Sequence, residues 1–103
     1  MAKYKQCQFN ITNEELKRLN ELCEKFGYRQ AETIVYAVNS YLDGNLEEKL
    51  YETLGNTGFS KKIINIEEST YEYFMSEADF RCRSLVSLIR FCINALYEKE
   101  FIL

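Results

Sequence analysis

The chain has 103 residues, of which 47% are hydrophobic and 15% are aromatic, enough to build the core of one ordinary domain. Its 13 basic and 16 acidic groups leave a net charge of -3, which argues against general, charge-driven binding of nucleic acid. No apolar run approaches the ~20 residues that span a bilayer, and the N-terminus lacks the apolar core of a signal peptide. We therefore expect an intracellular protein of the cytoplasm that makes no contact with membranes.

The composition also argues against catalysis and metal binding. The sequence has no His, no Gly-rich phosphate loop and no C-x-x-C pair among its four cysteines. Cys7, Cys23 and Cys92 fall at apolar positions of the periodic patterns, so small buried thiols are favoured over disulfides. We expect no enzyme activity, no small-molecule substrate, no cofactor and no metal.

The first element in chain order is a strand of about residues 4–11. Apolar and amide side chains alternate along it with a period of two, which gives one buried face and one exposed face. The apolar face consists of Cys7, Phe9 and Ile11, and the amide face consists of Gln6, Gln8 and Asn10.

Two helices follow this strand. Thr12 and Glu15 have the spacing of a capping box, which predicts that the first helix begins there. Gly27 is a typical helix stop. A second apolar stripe of helical period predicts a helix from about 29 to 42, which ends at residues 43–45.

Residues 46–54 carry a short amphipathic pattern and are predicted to form a linker helix, followed by a loop at 55–58. Leu46, Leu50, Tyr51 and Leu54 share one side of it. This side and the C-terminal residues 101–103 could join two chains in a homodimer or a higher assembly on DNA. Packing within one chain is the alternative, and we favour it slightly.

The same order of elements then begins again. Ile64-Asn65-Ile66 lies 55 positions after Phe9-Asn10-Ile11, and the pattern predicts a strand near 60–66, a third helix from 67 or 68, and a last helix over about 83–98. The apolar residues of the last helix match those of the second helix at an offset of 54, which predicts that the turn before the last helix is one residue shorter than in the first copy. The chain is thus one domain made of a first copy (1–45), a linker (46–57) and a second copy (58–103).

A lone strand cannot satisfy its backbone hydrogen bonds, so the two strands are predicted to pair antiparallel with each other. The inward residues of two strands and four helices should then meet in one core. We expect this core to contain Phe9, Ile11, Leu19, Ile34, Val38, Ile64, Ile66, Phe74, Leu88 and Cys92.

Strand, capped helix, turn and second helix is a layout that resembles the ribbon-helix-helix (Arc/MetJ-like) family of DNA-binding proteins. The resemblance covers almost the whole chain, twice. It implies an α+β, mostly α fold: a tandem, single-chain pseudo-dimer with one two-stranded antiparallel ribbon and four main helices, plus the short linker helix. Fused forms of this kind resemble regulators of plasmids and viruses, including archaeal viruses, and a viral protein would act in the host cell cytoplasm.

The resemblance implies that the outward strand residues read bases in the major groove of double-stranded DNA. The chemistry of their side chains agrees, because amides can pair with adenine, Lys with guanine and Ile with the thymine methyl group. The alternative is that they are ordinary solvated strand residues. The expected base-contacting residues are Gln6, Gln8, Asn10, Lys61, Ile63 and Asn65.

The resemblance also implies a phosphate contact at the start of the second helix of each copy, where free backbone N–H groups favour an anion. Basic residues near the strands would add to it, because residues 1–11 and 56–66 contain lysines and no acids. The family often has Ser or Thr where this chain has Arg29 and Arg83, and a solvated turn residue is the alternative there. The expected phosphate-contacting residues are Lys3, Lys5, Tyr28, Arg29, Gln30, Lys62, Arg81, Arg83 and Ser84.

Two functions remain open from the sequence. The first is a sequence-specific transcription regulator, such as a repressor, whose strands need lysines clear of acids. The second is a protein-interaction module, antitoxin-like or anti-defence, whose acidic helices bind a basic partner.

Overall fold

A computed structural model of the chain describes residues 3–46 and 58–102. Within these ranges the fold is α+β and mostly helical, as predicted, with two strands and four helices. In chain order the elements are β1 (Tyr4–Thr12), α1 (Asn13–Phe26), α2 (Gln30–Leu42), β2 (Phe59–Glu67), α3 (Glu68–Phe80) and α4 (Leu85–Phe101).

The two strands pair antiparallel with each other, which confirms the predicted pairing. The register runs from Tyr4 opposite Glu67 to Thr12 opposite Phe59, so all nine residues of each strand are paired. Odd residues of β1 and even residues of β2 from Ile64 onward face the helices, and the alternate residues face away from them, except Thr12, which is buried as the cap of α1. The ribbon therefore has one face in the core and one face free.

Capping interactions define the ends of α1. The Thr12 hydroxyl accepts from the Glu15 backbone N–H at 3.2 Å, and a Glu15 carboxylate oxygen accepts from the Thr12 N–H at 3.2 Å, which is the predicted capping box. At the other end Gly27 adopts φ 70°, a left-handed conformation that costs glycine little, and its N–H donates to the Cys23 carbonyl. The third helix lacks such a cap, since no side chain bonds its N-terminus at Glu67.

Backbone hydrogen bonds at the turns and strand ends recur at a spacing of 55 residues. The N–H of Tyr28 donates to the Cys23 carbonyl, and the N–H of Arg83 donates to the Ala78 carbonyl, 55 positions on in both donor and acceptor. Two further hydrogen bonds join one copy to the other. The Asn13 N–H donates to the Gly58 carbonyl at 2.9 Å, and the equivalent Glu68 N–H donates to the Lys3 carbonyl at 2.8 Å. Each strand is thus attached to the helix that follows the other strand.

The expected change of offset to 54, with a shorter turn in the second copy, is therefore wrong. Arg29 is the N-cap of α2 and Ser84 is the N-cap of α4, and these residues are 55 apart. Gly27 and Cys82 both have positive φ, of 70° and 55°, at the same spacing. A wide apolar stripe contains adjacent buried residues, so a slip of one residue leaves most of it matched and the stripe cannot fix the offset. The last helix accordingly covers 85–101 and not 83–98.

The core lies between the inner face of the ribbon and the four helices. All ten residues that were expected to be buried are buried, with exposed fractions of 6% or less. The core also contains residues that the stripes did not single out, because they lie at the edges of the predicted faces: Thr33, Ala37, Ile93 and Asn94.

The predicted linker helix lies outside the described residues, except for Leu46, which is buried. At the C-terminus the aromatic ring of Phe101 packs 4.7 Å from that of Tyr97, measured between centroids, while Ile102 is exposed. Among the helices that the structure describes, none is both long enough and apolar enough to cross a membrane.

Candidate nucleic-acid interface

The outer face of the ribbon carries a row of four cross-strand pairs, and at one end a fifth pair has Phe59 exposed but Thr12 buried. From one end to the other, Tyr4 lies opposite Glu67, Gln6 opposite Asn65, Gln8 opposite Ile63, Asn10 opposite Lys61 and Thr12 opposite Phe59. The six residues expected to contact bases occupy the three middle pairs, and all six are exposed. Their alternation with buried residues orients them away from the helices.

The middle pairs combine amides, one cation and one apolar side chain. Gln8 Nε2 donates to Gln6 Oε1 at 3.1 Å, so these two amides lie side by side on one strand. Ile63 is 52% exposed at the middle of the row, a position where an aliphatic side chain is not covered by the protein itself. Amide, ammonium and methyl groups in one exposed row match the groups that base edges present in the major groove.

Two exposed aromatic residues that were not among the predicted contacts flank this row. Tyr4 is 65% exposed and Phe59 is 57% exposed, and they are 55 positions apart, at equivalent ends of the two strands. The signal for them was in the sequence, since both extend the outward alternation by one step. They widen the exposed surface of the ribbon at both ends.

The four lysines near the strands do not share one position. Lys61 belongs to the outer row, whereas Lys5 and Lys62 lie opposite Ile66 and Phe9 and therefore on the inner side of the ribbon. The ammonium of Lys5 lies 4.8 Å from the centroid of the Tyr71 ring on α3. Both side chains remain accessible at the edge, Lys5 exposed and Lys62 half-buried.

The expectation that these lysines are clear of acids is wrong for Lys3. Lys3 lines a surface pocket together with Glu67, Glu68 and Glu72. Sequence separation hid this proximity, because antiparallel pairing brings the start of β1 beside the end of β2. Glu67 is also exposed at the end of the outer row, so that end carries negative charge.

At the start of α2 the expected phosphate-contacting residues lie together. Arg29 is the exposed N-cap residue and its side chain makes no capping bond. Gln30 Nε2 donates to Asn20 Oδ1 at 2.9 Å, and the Tyr28 ring stacks on Phe26 with centroids 5.8 Å apart. The backbone N–H groups of this first turn have no side-chain cap, which suits an anion.

The start of α4 has a different arrangement. The Ser84 hydroxyl accepts from the Ser87 N–H at 3.1 Å, so the start of α4 has a side-chain cap that the start of α2 lacks. The Arg83 guanidinium lies 4.7 Å from the centroid of the Phe91 ring. Arg81 is bound to the side chain of Glu77, and that hydrogen bond raises the pKa of Arg81 above its ordinary value. Arg81 would have to share its charge between Glu77 and a phosphate.

A buried polar cluster that was not predicted connects α1 to α4. Glu15 is 1% exposed; one carboxylate oxygen accepts from Arg90 Nε at 2.8 Å and the other from Asn94 Nδ2 at 2.8 Å. Arg18 Nη1 approaches Asn94 Oδ1 at 3.4 Å. In the sequence, the capping-box spacing indicated Glu15 but not Arg90 or Asn94, because residues so distant in the chain form no local pattern with it.

The structure contains no cluster of His, Cys, Asp and Glu fit for a metal ion within residues 3–46 and 58–102. All four cysteines are free thiols; Cys7 and Cys92 are buried, Cys23 is half-buried and Cys82 is exposed. Comparison of the chain with protein-family models, with curated proteins and with solved structures yields no match.

Proposed function

We propose that this protein binds double-stranded DNA sequence-specifically through its ribbon, which enters the major groove, and that it acts as a transcription regulator. The observation that carries the proposal is the outer row, in which six exposed side chains able to read bases lie on a paired, two-stranded ribbon. A two-stranded ribbon has the width to enter the major groove, and its outward side chains then reach base edges.

We further propose that the chain is a tandem ribbon-helix-helix pseudo-dimer. Support comes from the spacing of 55 residues, which relates the helix N-caps and the turns of the two copies. The same spacing relates the two backbone hydrogen bonds that join one copy to the other. Because the copies differ in sequence, such a ribbon reads an asymmetric site: an amide at Gln6 corresponds to Lys61, and Gln8 corresponds to Ile63. Two chains side by side would read a longer, pseudo-palindromic operator.

The charge distribution favours base contacts over phosphate contacts. The net charge is -3, Arg81 is paired with Glu77, and Glu67 lies at one end of the row. Phosphate binding then depends on Arg29, Arg83, the strand-edge lysines and the N-termini of α2 and α4. We expect few released counterions and a shallow dependence of affinity on salt.

Selection from a random DNA pool, followed by footprinting, tests the proposal directly. On the selected DNA, Gln8→Ala or Asn65→Ala should weaken binding by ~1–3 kcal/mol, and by little on random DNA, because each removes a directional contact to one base pair. Arg29→Ala or Arg83→Ala should weaken binding to both DNAs and lower the salt slope by about 1.

Lys17→Ala is the matched control, since it removes an exposed positive charge on α1, away from the outer row. It should leave both affinities unchanged. A uniform loss in the strand and arginine variants alike would contradict reading by the ribbon. Failure to enrich any sequence would contradict DNA recognition as a whole.

A protein-interaction module with an acidic helical surface is the second candidate function. Exposed carboxylates on α1 and α3, at Glu14, Glu24, Glu72 and Asp79, favour it. The highly exposed Phe80, at 83%, lies beside Asp79 and could add apolar contact. This function is favoured over DNA recognition if no DNA sequence is enriched and the outer-row variants bind DNA like the unmodified protein.

A further inference from the structure

An open groove of about 550 Å³ lies between α2, the end of the ribbon and the start of α3. Two tyrosines of its wall, Tyr28 and Tyr36, have ring centroids 6.1 Å apart and are 41% and 40% exposed. Both rings pack on Phe26, at 5.8 and 5.2 Å, which fixes their positions. The volume is within the range of small-ligand sites.

The charge of the groove is negative. Glu32, in the first turn of α2, and Glu67, at the N-cap of α3, both line it and are exposed. No residue that lines this groove is Lys or Arg, and Lys3 lines a neighbouring pocket on another side of Glu67. Within the described residues neither carboxylate forms an ion pair. Carboxylates beside aromatic faces favour an organic cation.

The repeat shows what occupies the equivalent position, which lies between α4 and α1. Val35, Asn39 and Thr70 line the groove, and the residues 55 positions from them in the repeat are Arg90, Asn94 and Glu15. Those three form the buried cluster, in which the Arg90 guanidinium binds Glu15 at 2.8 Å. Where the equivalent position, between α4 and α1, has the Arg90 guanidinium and the Glu15 carboxylate, the groove between α2 and α3 has the shorter Val35 and Thr70, and open space.

The aromatic wall has an equivalent as well. Tyr28 and Tyr36 correspond to Arg83 and Phe91, and the Arg83 guanidinium lies 4.7 Å from the centroid of the Phe91 ring. The second copy thus supplies two guanidinium groups of its own at positions where the first copy supplies none. The Phe91 ring and the Glu15 carboxylate each contact a guanidinium of the protein, whereas Tyr36, the equivalent of Phe91, lines the groove together with Glu32 and Glu67, which are not equivalents of Glu15.

We propose that this groove binds a small molecule that carries a guanidinium group. The planar cation lies against the tyrosine rings and donates hydrogen bonds to the carboxylates of Glu32 and Glu67, and the Asn39 side chain offers a further acceptor. A guanidinium has the planar fork of donors that carboxylates accept in pairs, which an ammonium lacks. The inference does not depend on DNA binding.

Calorimetric and NMR titrations of the intact protein test this, with Nα-acetyl-arginine amide as the probe. The citrulline derivative, which is the neutral isostere, should not bind, and the lysine derivative should bind more weakly. Glu32→Gln and Glu67→Gln, which keep the side-chain shape, should each weaken binding of the arginine derivative about tenfold. Glu24→Gln, an exposed α1 variant outside the groove, is the matched control and should leave binding unchanged.

Val35→Arg copies the residue of the second copy into the groove and should abolish binding. Its thermal unfolding is measured in parallel, and the two Glu→Gln variants keep the test decisive if it unfolds. Equal binding of the citrulline derivative, equal weakening by Glu24→Gln, or no binding of the arginine derivative would overturn the proposal. Binding only when the arginine belongs to a longer peptide would replace the small molecule with a protein partner and would also overturn it.

Discussion

Gln8 and Ile63 lie directly opposite each other at the middle of the ribbon, and they are also equivalent residues of the two copies, 55 positions apart. The centre of the strand pairing therefore coincides with the centre of the repeat. On either side, the pair Gln6–Asn65 corresponds to the pair Lys61–Asn10 with the strands exchanged. The strand pairing is therefore the same when β1 and β2 are exchanged, and only the side chains distinguish the two halves of the ribbon.

The core should be sensitive to truncation at its centre. Leu88 is completely buried on α4, so Leu88→Ala should lower the free energy of unfolding by about 2–5 kcal/mol through lost burial and a residual cavity. Urea denaturation followed by circular dichroism measures this. Ile102→Ala removes an aliphatic side chain that is 61% exposed and should change stability little. Equal effects of the two substitutions would contradict the packing of α4.

The buried carboxylate of Glu15 should contribute strongly to stability. Glu15→Ala removes the carboxylate that accepts from Arg90 and Asn94, and half of the capping box, so we expect a loss of ~3–5 kcal/mol in the free energy of unfolding. Glu24→Ala on the exposed side of the same helix is the control and should change it by less than about 0.5 kcal/mol. A small effect of Glu15→Ala would show that the cluster is not formed in solution.

The two equivalent N-caps should respond in opposite directions. Ser84→Ala removes the hydroxyl that accepts from Ser87 and should cost ~1 kcal/mol, whereas Arg29→Ser introduces a capping hydroxyl and should stabilise α2 by ~0.5–1 kcal/mol. Thermal unfolding of both variants measures these changes. Stabilisation by Ser84→Ala, or destabilisation by Arg29→Ser, would contradict the assigned caps.

Thiol reactivity should divide the cysteines by burial. Cys82 is exposed and should react quickly with a thiol reagent in the native protein, while Cys7 and Cys92 should react only on unfolding. Burial raises the pKa of Cys7, and raises that of Cys92 to about 12, so their thiolates are scarce at neutral pH. Mass spectrometry of alkylated peptides, with and without urea, identifies the sites. Rapid native labelling of Cys92 would contradict the core.

The raised pKa of Cys92 also predicts a dependence of stability on pH. An unfolded thiol ionises near pH 9 while the buried one stays protonated, so ionisation favours the unfolded state as the pH rises. The contribution of Cys92 is therefore complete below pH 9 and is lost between pH 9 and about 12. Cys92→Ala should show a smaller loss of stability over that interval in denaturant titrations.

Sequence periodicity predicted the element order, the antiparallel pairing and the buried residues well, because each depends on patterns only a few residues long. It failed at the offset of the last helix, because the wide apolar stripe matches almost as well after a slip of one residue, and the cap at Ser84 was not used. It also missed the cluster of Glu15, Arg90 and Asn94, since polar partners on different helices become neighbours only after packing. The outer row could be predicted because it depends only on the alternation within each strand. The acids beside Lys3 could not, because antiparallel pairing of the two strands brings them there.

The position of the ribbon in the chain has a consequence for folding kinetics. Even the innermost cross-strand pair, Thr12 with Phe59, encloses α1, α2 and the whole connection between the copies. Helices can form locally within about a microsecond, but the two strands can pair only after this large loop closes. Formation of the ribbon should therefore limit the folding rate. The cost of closure grows only logarithmically with loop length, by ~0.6 kcal/mol per doubling. Residues added to the connection should therefore slow folding only slightly.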